Sequence, residues 1–219
     1  MKAVVFGTGD IAQIAAYYFE RDAIAEVVAF TVDRAFMPDP PEFEARSVVA
    51  FEDLETSHPA AEYALFIALS YTKMNRLREQ KYNAAISRGY RLLTYISPQC
   101  TYRSQFPPGQ NCFIFEDNTI QPFVRIGNDV TLWSGNHIGH HSSIDDHVFV
   151  SSHVVISGHC TVGSHSFLGV NSTVAHGVRI AEGTLLGAGA VLAKDSLPNA
   201  VYVPPRTIKL EKSSDQIEL

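Results

Sequence analysis

Residues 136–147 read NHIGHHSSIDDH and hold four histidines: His137, His140, His141 and His147. An imidazole titrates near about 6.5 and also ligates transition metals. The cluster therefore admits two chemistries, a general base or a zinc site. A third reading needs no chemistry. His141, His147, His153, His159 and His165 recur at intervals of six, as a polar turn residue would if repeated along with its neighbours. His140 stands outside that series. A second stretch, FGTGDIA, gives Gly7-x-Gly9-x-x-Ala12 between a strand pattern and a helix pattern. Such a turn lets a phosphate approach backbone amides at the positive end of a helix. The alternative is that these glycines serve only tight strand–helix packing.

The remaining composition narrows the class. The chain has 219 residues, 46% hydrophobic and 18% charged, with a net charge of −6. That charge argues against a phosphate-coating nucleic-acid binder, though not against a pocket for one or two phosphates. Three cysteines, Cys100, Cys112 and Cys160, do not make a disulfide framework. The N-terminus has a strand pattern rather than a signal-peptide core, and no apolar run is long enough to span a bilayer. A soluble, cytoplasmic protein without membrane or nucleic-acid partners is expected.

Two kinds of periodicity must position these residues. Over 1–97 the chain alternates strands (KAVVFG, EVVAFTVD, EYALFIALS, YRLLTYIS) with helices (GDIAQIAAYYFERD, KMNRLREQKYNAAISRG), the pattern of a small parallel sheet with crossover helices. Four strands fall short of the full dinucleotide fold, which weighs against a dehydrogenase. The segment 98–111, rich in proline and glycine, is expected to be a linker. From 112 to 203 the period becomes six. Every sixth position from 114 to 192 is Ile, Val or Leu, and the residue two before it is small or medium-sized. Glycine follows the aliphatic at Gly127, Gly139, Gly163, Gly169 and Gly187. A hexad repeat fits a parallel β-helix, in which stacked coils bury a continuous core. Residues 204–219 are expected to form a C-terminal tail.

This repeat resembles the hexapeptide-repeat, left-handed β-helix acyltransferases. A Rossmann-like domain followed by that helix is similar to the branch that acylates nucleotide-linked sugars: bacillosamine- and perosamine-type N-acetyltransferases and sialic-acid O-acetyltransferase relatives. The resemblance implies coils of eighteen residues, a homotrimer, acetyl-CoA as acyl donor and no metal. It implies an N-acyltransferase acting on a nucleotide-linked amino sugar for surface polysaccharide or glycan biosynthesis. It places His140 at the catalytic position and His141 beside it, where several relatives carry a carboxylate, so that Asp145 and Asp146 are the remaining candidates to orient the base. His140 and His176 share a corner, with Gly158 between them. By matching positions Phe149, Ser152, Gly169, Val170, Gly187 and Ala188 would meet acetyl-CoA. Gly7, Thr8, Gly9, Asp10, Asp33, Arg34, Ser70 and Tyr71 would meet the sugar nucleotide. The C-terminal VYVPPRTIK departs from the family's usual closing turn, and Pro204, Pro205 and Arg206 would reshape the CoA end. The alternatives are a sugar O-acetyltransferase, a zinc enzyme of the carbonic-anhydrase type built on stacked His141 and His159, and a non-catalytic nucleotide-sugar sensor.

Overall fold

The structure is a computed structural model that describes residues 1–211 and Ser214; the remainder of the expected 204–219 tail lies outside the described residues. The N-terminal part runs β1 (Lys2–Phe6), α1 (Asp10–Arg21), β2 (Glu26–Val32), β3 (Glu42–Phe43), β4 (Arg46–Ala50), α2 (Leu54–Ser57), β5 (Ala64–Ile67) and α3 (Arg76–Ser87). The sheet order is β3-β4-β2-β1-β5, parallel except where β3 meets β4. Ala3, Val4, Val5 and Phe6 are all buried, as a strand covered on both faces requires. The sheet thus has the parallel Rossmann-like core expected.

Two expectations need correcting. The short β4, RSVVA, gave too little pattern to be read as a strand. YRLLTYIS, expected to be one strand of this sheet, is divided. Leu92 bridges Leu65, whereas Tyr95–Ile96 already pairs with Phe113–Ile114 in the coils. Thr101–Tyr102 pairs with Thr119–Ile120. The segment 98–111 is therefore not a free linker but part of the first coil, because its backbone groups extend ladders that would otherwise end unpaired.

Beyond it the chain winds as a left-handed β-helix. Each hexad contributes a two-residue strand to one of three faces, and each strand pairs in parallel with the strand eighteen residues on. Face A contains Phe113–Ile114, Thr131–Leu132, Phe149–Val150, Phe167–Leu168 and Leu185–Leu186. Face B contains Thr119–Ile120, His137–Ile138, Val155–Ile156, Thr173–Val174 and Val191–Leu192. Face C contains Arg125–Ile126, Ser143–Ile144, Thr161–Val162 and Arg179–Ile180. The hexad aliphatics and the small residues two positions earlier are all buried in one column. The third residue after each aliphatic, between 117 and 189, has a positive φ. Asn, Asp, His and Gly tolerate that left-handed conformation best. This is the structural reason for the histidine series: His141, His147, His153, His159 and His165 occupy left-handed turns, with φ of 60°, 61°, 58°, 59° and 61°.

The N-terminal part is docked on face A, and the two share a core. Ala12, Ala15, Ala16 and Phe19 of α1 pack with Tyr95, Phe113 and Phe115 from the coils. Tyr71 lies 5.1 and 4.7 Å from the Phe149 and Phe167 rings. Arg78 of α3 is buried and donates to Asp129 Oδ1 (2.9 Å), to the Asp129 carbonyl (2.8 Å) and to the Val148 carbonyl (3.3 Å).

Candidate active site

The corners determine which site residues can meet. His140, His141, His159 and His176 lie on the corner between faces B and C. His140 Nδ1 is 3.0 Å from His141 Nδ1, so a single proton can sit between them. The His141 ring stacks on His159 at 4.8 Å and 8°, and on its other side meets Phe123 at 4.5 Å. The His140 backbone N–H donates to Gln121 Oε1 (2.8 Å). A Cβ at Gly158 would come within 2.8 Å of His140 Nε2, so the missing side chain leaves room for the ring. The His159 imidazole, though exposed, is held below its usual range, first by partial desolvation and then by His141, His140 and His176. His140 and His141 are exposed at this corner. With Nδ1 engaged by His141, Nε2 of His140 is the nitrogen left to act on a substrate.

Asp145 and Asp146 do not orient this pair. Both lie on the C/A corner, and Asp146 Oδ1 accepts from the Asn128 backbone N–H (2.6 Å). The sequence offered them because they follow closely in the chain, but six residues take the coil to its next corner. The partner of His140 is His141 itself. His137 lies on face B, half-buried. His147 faces the joint with α3, where its Nδ1 meets Asp129 Oδ2 at 2.8 Å.

A second group gathers at the A/B corner. Ser70 and Tyr71, expected at the sugar nucleotide, line a cavity of about 250 Å³ with Phe149, Ser152 and Val170, expected at acetyl-CoA, and with Ile11 and Trp133. Through Trp133 it adjoins a larger cavity of about 690 Å³ between α1 and the coils, which includes Tyr18, Glu116 and Ser134. Tyr18 donates to Glu116 Oε2 (2.8 Å), and burial together with that carboxylate pushes its hydroxyl up to about 12. Trp133, a wall common to both cavities, was missed by the sequence reading. Its only signal was an aromatic residue at a corner position. Ala188 is exposed one coil above Val170. Gly169 and Gly187 act differently: a Cβ at Gly169 would meet the Ala188 backbone nitrogen at 2.6 Å, and one at Gly187 would meet Val203 at 3.1 Å. The closing segment Val201–Tyr202 pairs with Leu185–Leu186, and Pro204 and Pro205 border a cavity of about 480 Å³ beside Gly189.

At the N-terminal sheet the glycines divide. Gly7 has φ +123° and the Ala68 carbonyl 2.9 Å from a Cβ position, so its backbone requires glycine. Gly9 begins α1 with open space where a Cβ would be, leaving its amide approachable. Thr8 is half-buried and Asp10, in the first turn of α1, is exposed. Asp33 and Arg34 are engaged elsewhere: Asp33 Oδ1 with Lys81 Nζ (2.6 Å), Arg34 with Asp53 Oδ1 (2.7 Å). Lys81, which the sequence reading passed over, is a half-buried cation at this sheet edge.

His140 and the A/B-corner cavity are not brought together within one chain. Face B lies between them, and six extended residues span up to roughly 20 Å.

The bacterial transferase hexapeptide (six repeats) family model matches residues 123–158 and 159–194. No curated protein matches the chain by sequence. Among solved structures, the acetyltransferase domain of PglB from Neisseria gonorrhoeae FA1090, in complex with acetyl coenzyme A, is similar at 20% identity and TM-score 0.79, with 91% of this chain and 94% of that chain covered. A point mutant of perosamine N-acetyltransferase from Caulobacter crescentus, in complex with CoA and GDP-perosamine, matches at 23% identity and TM-score 0.80, covering 93% and 92%. WeeI from Acinetobacter baumannii AYE matches at 15% identity and TM-score 0.59, covering 87% and 96%. Residues 123–194 thus match the hexapeptide-repeat model, and nearly the whole chain shares the fold of the PglB acetyltransferase domain and of perosamine N-acetyltransferase.

Proposed function

We propose that the protein is an acyl-CoA-dependent N-acyltransferase that moves an acetyl group from acetyl-CoA to the amine of a nucleotide-linked sugar. His140 is the general base. Its Nδ1–H donates to His141 Nδ1, which leaves the Nε2 lone pair to take a proton from the sugar amine as that nitrogen attacks the thioester carbonyl. The resulting imidazolium returns the proton to the departing CoA thiolate. His141 fills the place where several relatives of the expected family carry a carboxylate; it orients the base without supplying a negative charge. Tyr71, Ser70 and the Gly9 amide hold the sugar nucleotide, while Phe149, Ser152, Val170 and Ala188 line the path of the pantetheine arm.

The observation that carries this reading is the 3.0 Å His140–His141 contact at an exposed corner of a hexapeptide coil. The solved structures of the same fold that hold CoA and GDP-perosamine, or acetyl coenzyme A, support the substrate class. The separation of His140 from the A/B-corner cavity supports a homotrimer in which His140 of one subunit faces the cavity of its neighbour. On this reading 1–97 serves the sugar nucleotide and 112–203 the acyl donor. No helix among the described residues is long and apolar enough to cross a membrane, which is compatible with a substrate met in solution. The test is release of free CoA thiol from acetyl-CoA on addition of nucleotide-linked 4-amino sugars. Turnover that depends on the amine and is lost in His140→Ala supports the assignment. Turnover with the matching 4-hydroxy sugar alone would assign an O-acetyltransferase.

A further inference from the structure

We propose that Glu79, His147 and His165 form a structural site for a divalent transition metal of the zinc class, which staples α3 to the C/A corner of the coils. One ligand atom from each residue lies within 4.8 Å of the others. Glu79 Oε2 is 3.1 Å from His165 Nε2, and Glu79 Oε1 is 3.9 Å from His147 Nε2. Around a tetrahedral zinc with bonds of about 2.0–2.1 Å, ligand atoms stand about 3.3 Å apart. The Glu79–His165 separation is close to that value, while the His147 distance, measured to the other carboxylate oxygen, is longer.

The surroundings are arranged as a metal requires. His147 Nδ1 donates to Asp129 Oδ2 at 2.8 Å, and Asp129, fully buried, is pinned through Oδ1 by Arg78 (2.9 Å) and Asn111 (2.7 Å). A carboxylate on Nδ1 fixes the tautomer and directs the Nε2 lone pair outward, the usual outer support of a metal-bound histidine. Here Nε2 points toward Glu79. Both histidines are buried, each 7% exposed, and their rings stack at 5.3 Å. Among the described residues His165 Nδ1 has no hydrogen-bond partner, although Glu182 Oε1 lies 3.5 Å away. A metal on Nε2 places the ring proton on Nδ1, where it faces that carboxylate. The exposed His140–His141–His159 group also brings three nitrogens within 4.8 Å, but none of its nitrogens is bonded to a carboxylate among the described residues. The metal is a staple between the two parts of the chain and not a reagent of acyl transfer, for which none is expected.

The test uses untagged full-length protein, stripped with chelator and titrated with cobalt(II), then with zinc. The expected result is one tightly bound ion with visible cobalt absorption, displaced by zinc, together with a higher melting temperature. Glu79→Gln and His165→Gln should each weaken binding at least tenfold, while His159→Ala leaves it unchanged. Histidine ring NMR on the wild type provides a readout that does not depend on how the variants fold: zinc should shift the His147 and His165 resonances and spare His140. Absence of stoichiometric binding, equal affinity in the Gln variants, or loss of the cobalt spectrum in His159→Ala would each overturn the site.

Discussion

At the residue scale, the chemistry rests on which histidines the turns expose. A left-handed turn accepts histidine regardless of function, so the series at intervals of six was legible as a repeat, and His140, outside it, as the exception. The roles of the repeated histidines were not legible, because they depend on what packs against each corner. His140→Ala should lower kcat by about 10²–10⁴-fold, toward the lower end for an amine acceptor, with CoA binding retained. The check is kcat against pH for His140→Ala, His141→Ala and wild type between about pH 6 and 8; wild-type turnover in His140→Ala would remove the base. His147→Ala is expected to spare turnover but not stability. It deprives buried Asp129 Oδ2 of its donor, at a cost of about 1–3 kcal/mol measurable by urea denaturation.

At the scale of elements, hexads and docking differ in how much local pattern they leave. A coil repeats its core every six residues, so its strands can be counted from sequence, and Leu168→Ala should open a cavity costing about 2–5 kcal/mol. The joint between α3 and face A leaves no such trace. Arg78 and Asp129 are 51 positions apart, and each alone reads as an ordinary surface charge. Both are buried in the structure, with side chains 2% and 0% exposed. Removing one partner strands a charge without water, so Arg78→Met should cost about 3–5 kcal/mol. Removing both should cost less than the sum of the singles, because the stranded charge is then absent. A urea double-mutant cycle on Arg78→Met and Asp129→Leu measures the difference. Additive losses would mean that the pair is not coupled. The same long-range docking explains why YRLLTYIS was read as one strand: its two halves are both extended, and only tertiary pairing assigns them to different sheets.

At the scale of the whole molecule, the placement of His140 on one corner and the nucleotide-side residues on another sets a stoichiometric expectation. In the proposed ring of three with heterologous contacts, each site would take His140 from one chain and Gly9 with Tyr71 from the next. Gly9→Val should preserve the fold, since nothing lies within 4 Å of a Cβ there, while the new side chain blocks approach to the amide. It should raise KM for the sugar nucleotide far more than for acetyl-CoA. His140→Ala removes the base and leaves the nucleotide side intact. Neither variant alone turns over well. Unfolded together at equal amounts and refolded, they form mixed rings in which a site is intact when one chain has His140 and its neighbour has Gly9. Each condition is met half the time, so about one quarter of wild-type activity should return. Sites built within a single chain would return none, because every chain carries one lesion. Activity no higher than that of the separate variants, from rings shown by sedimentation to be mixed, would place the whole site in one subunit and require His140 to be replaced as the base.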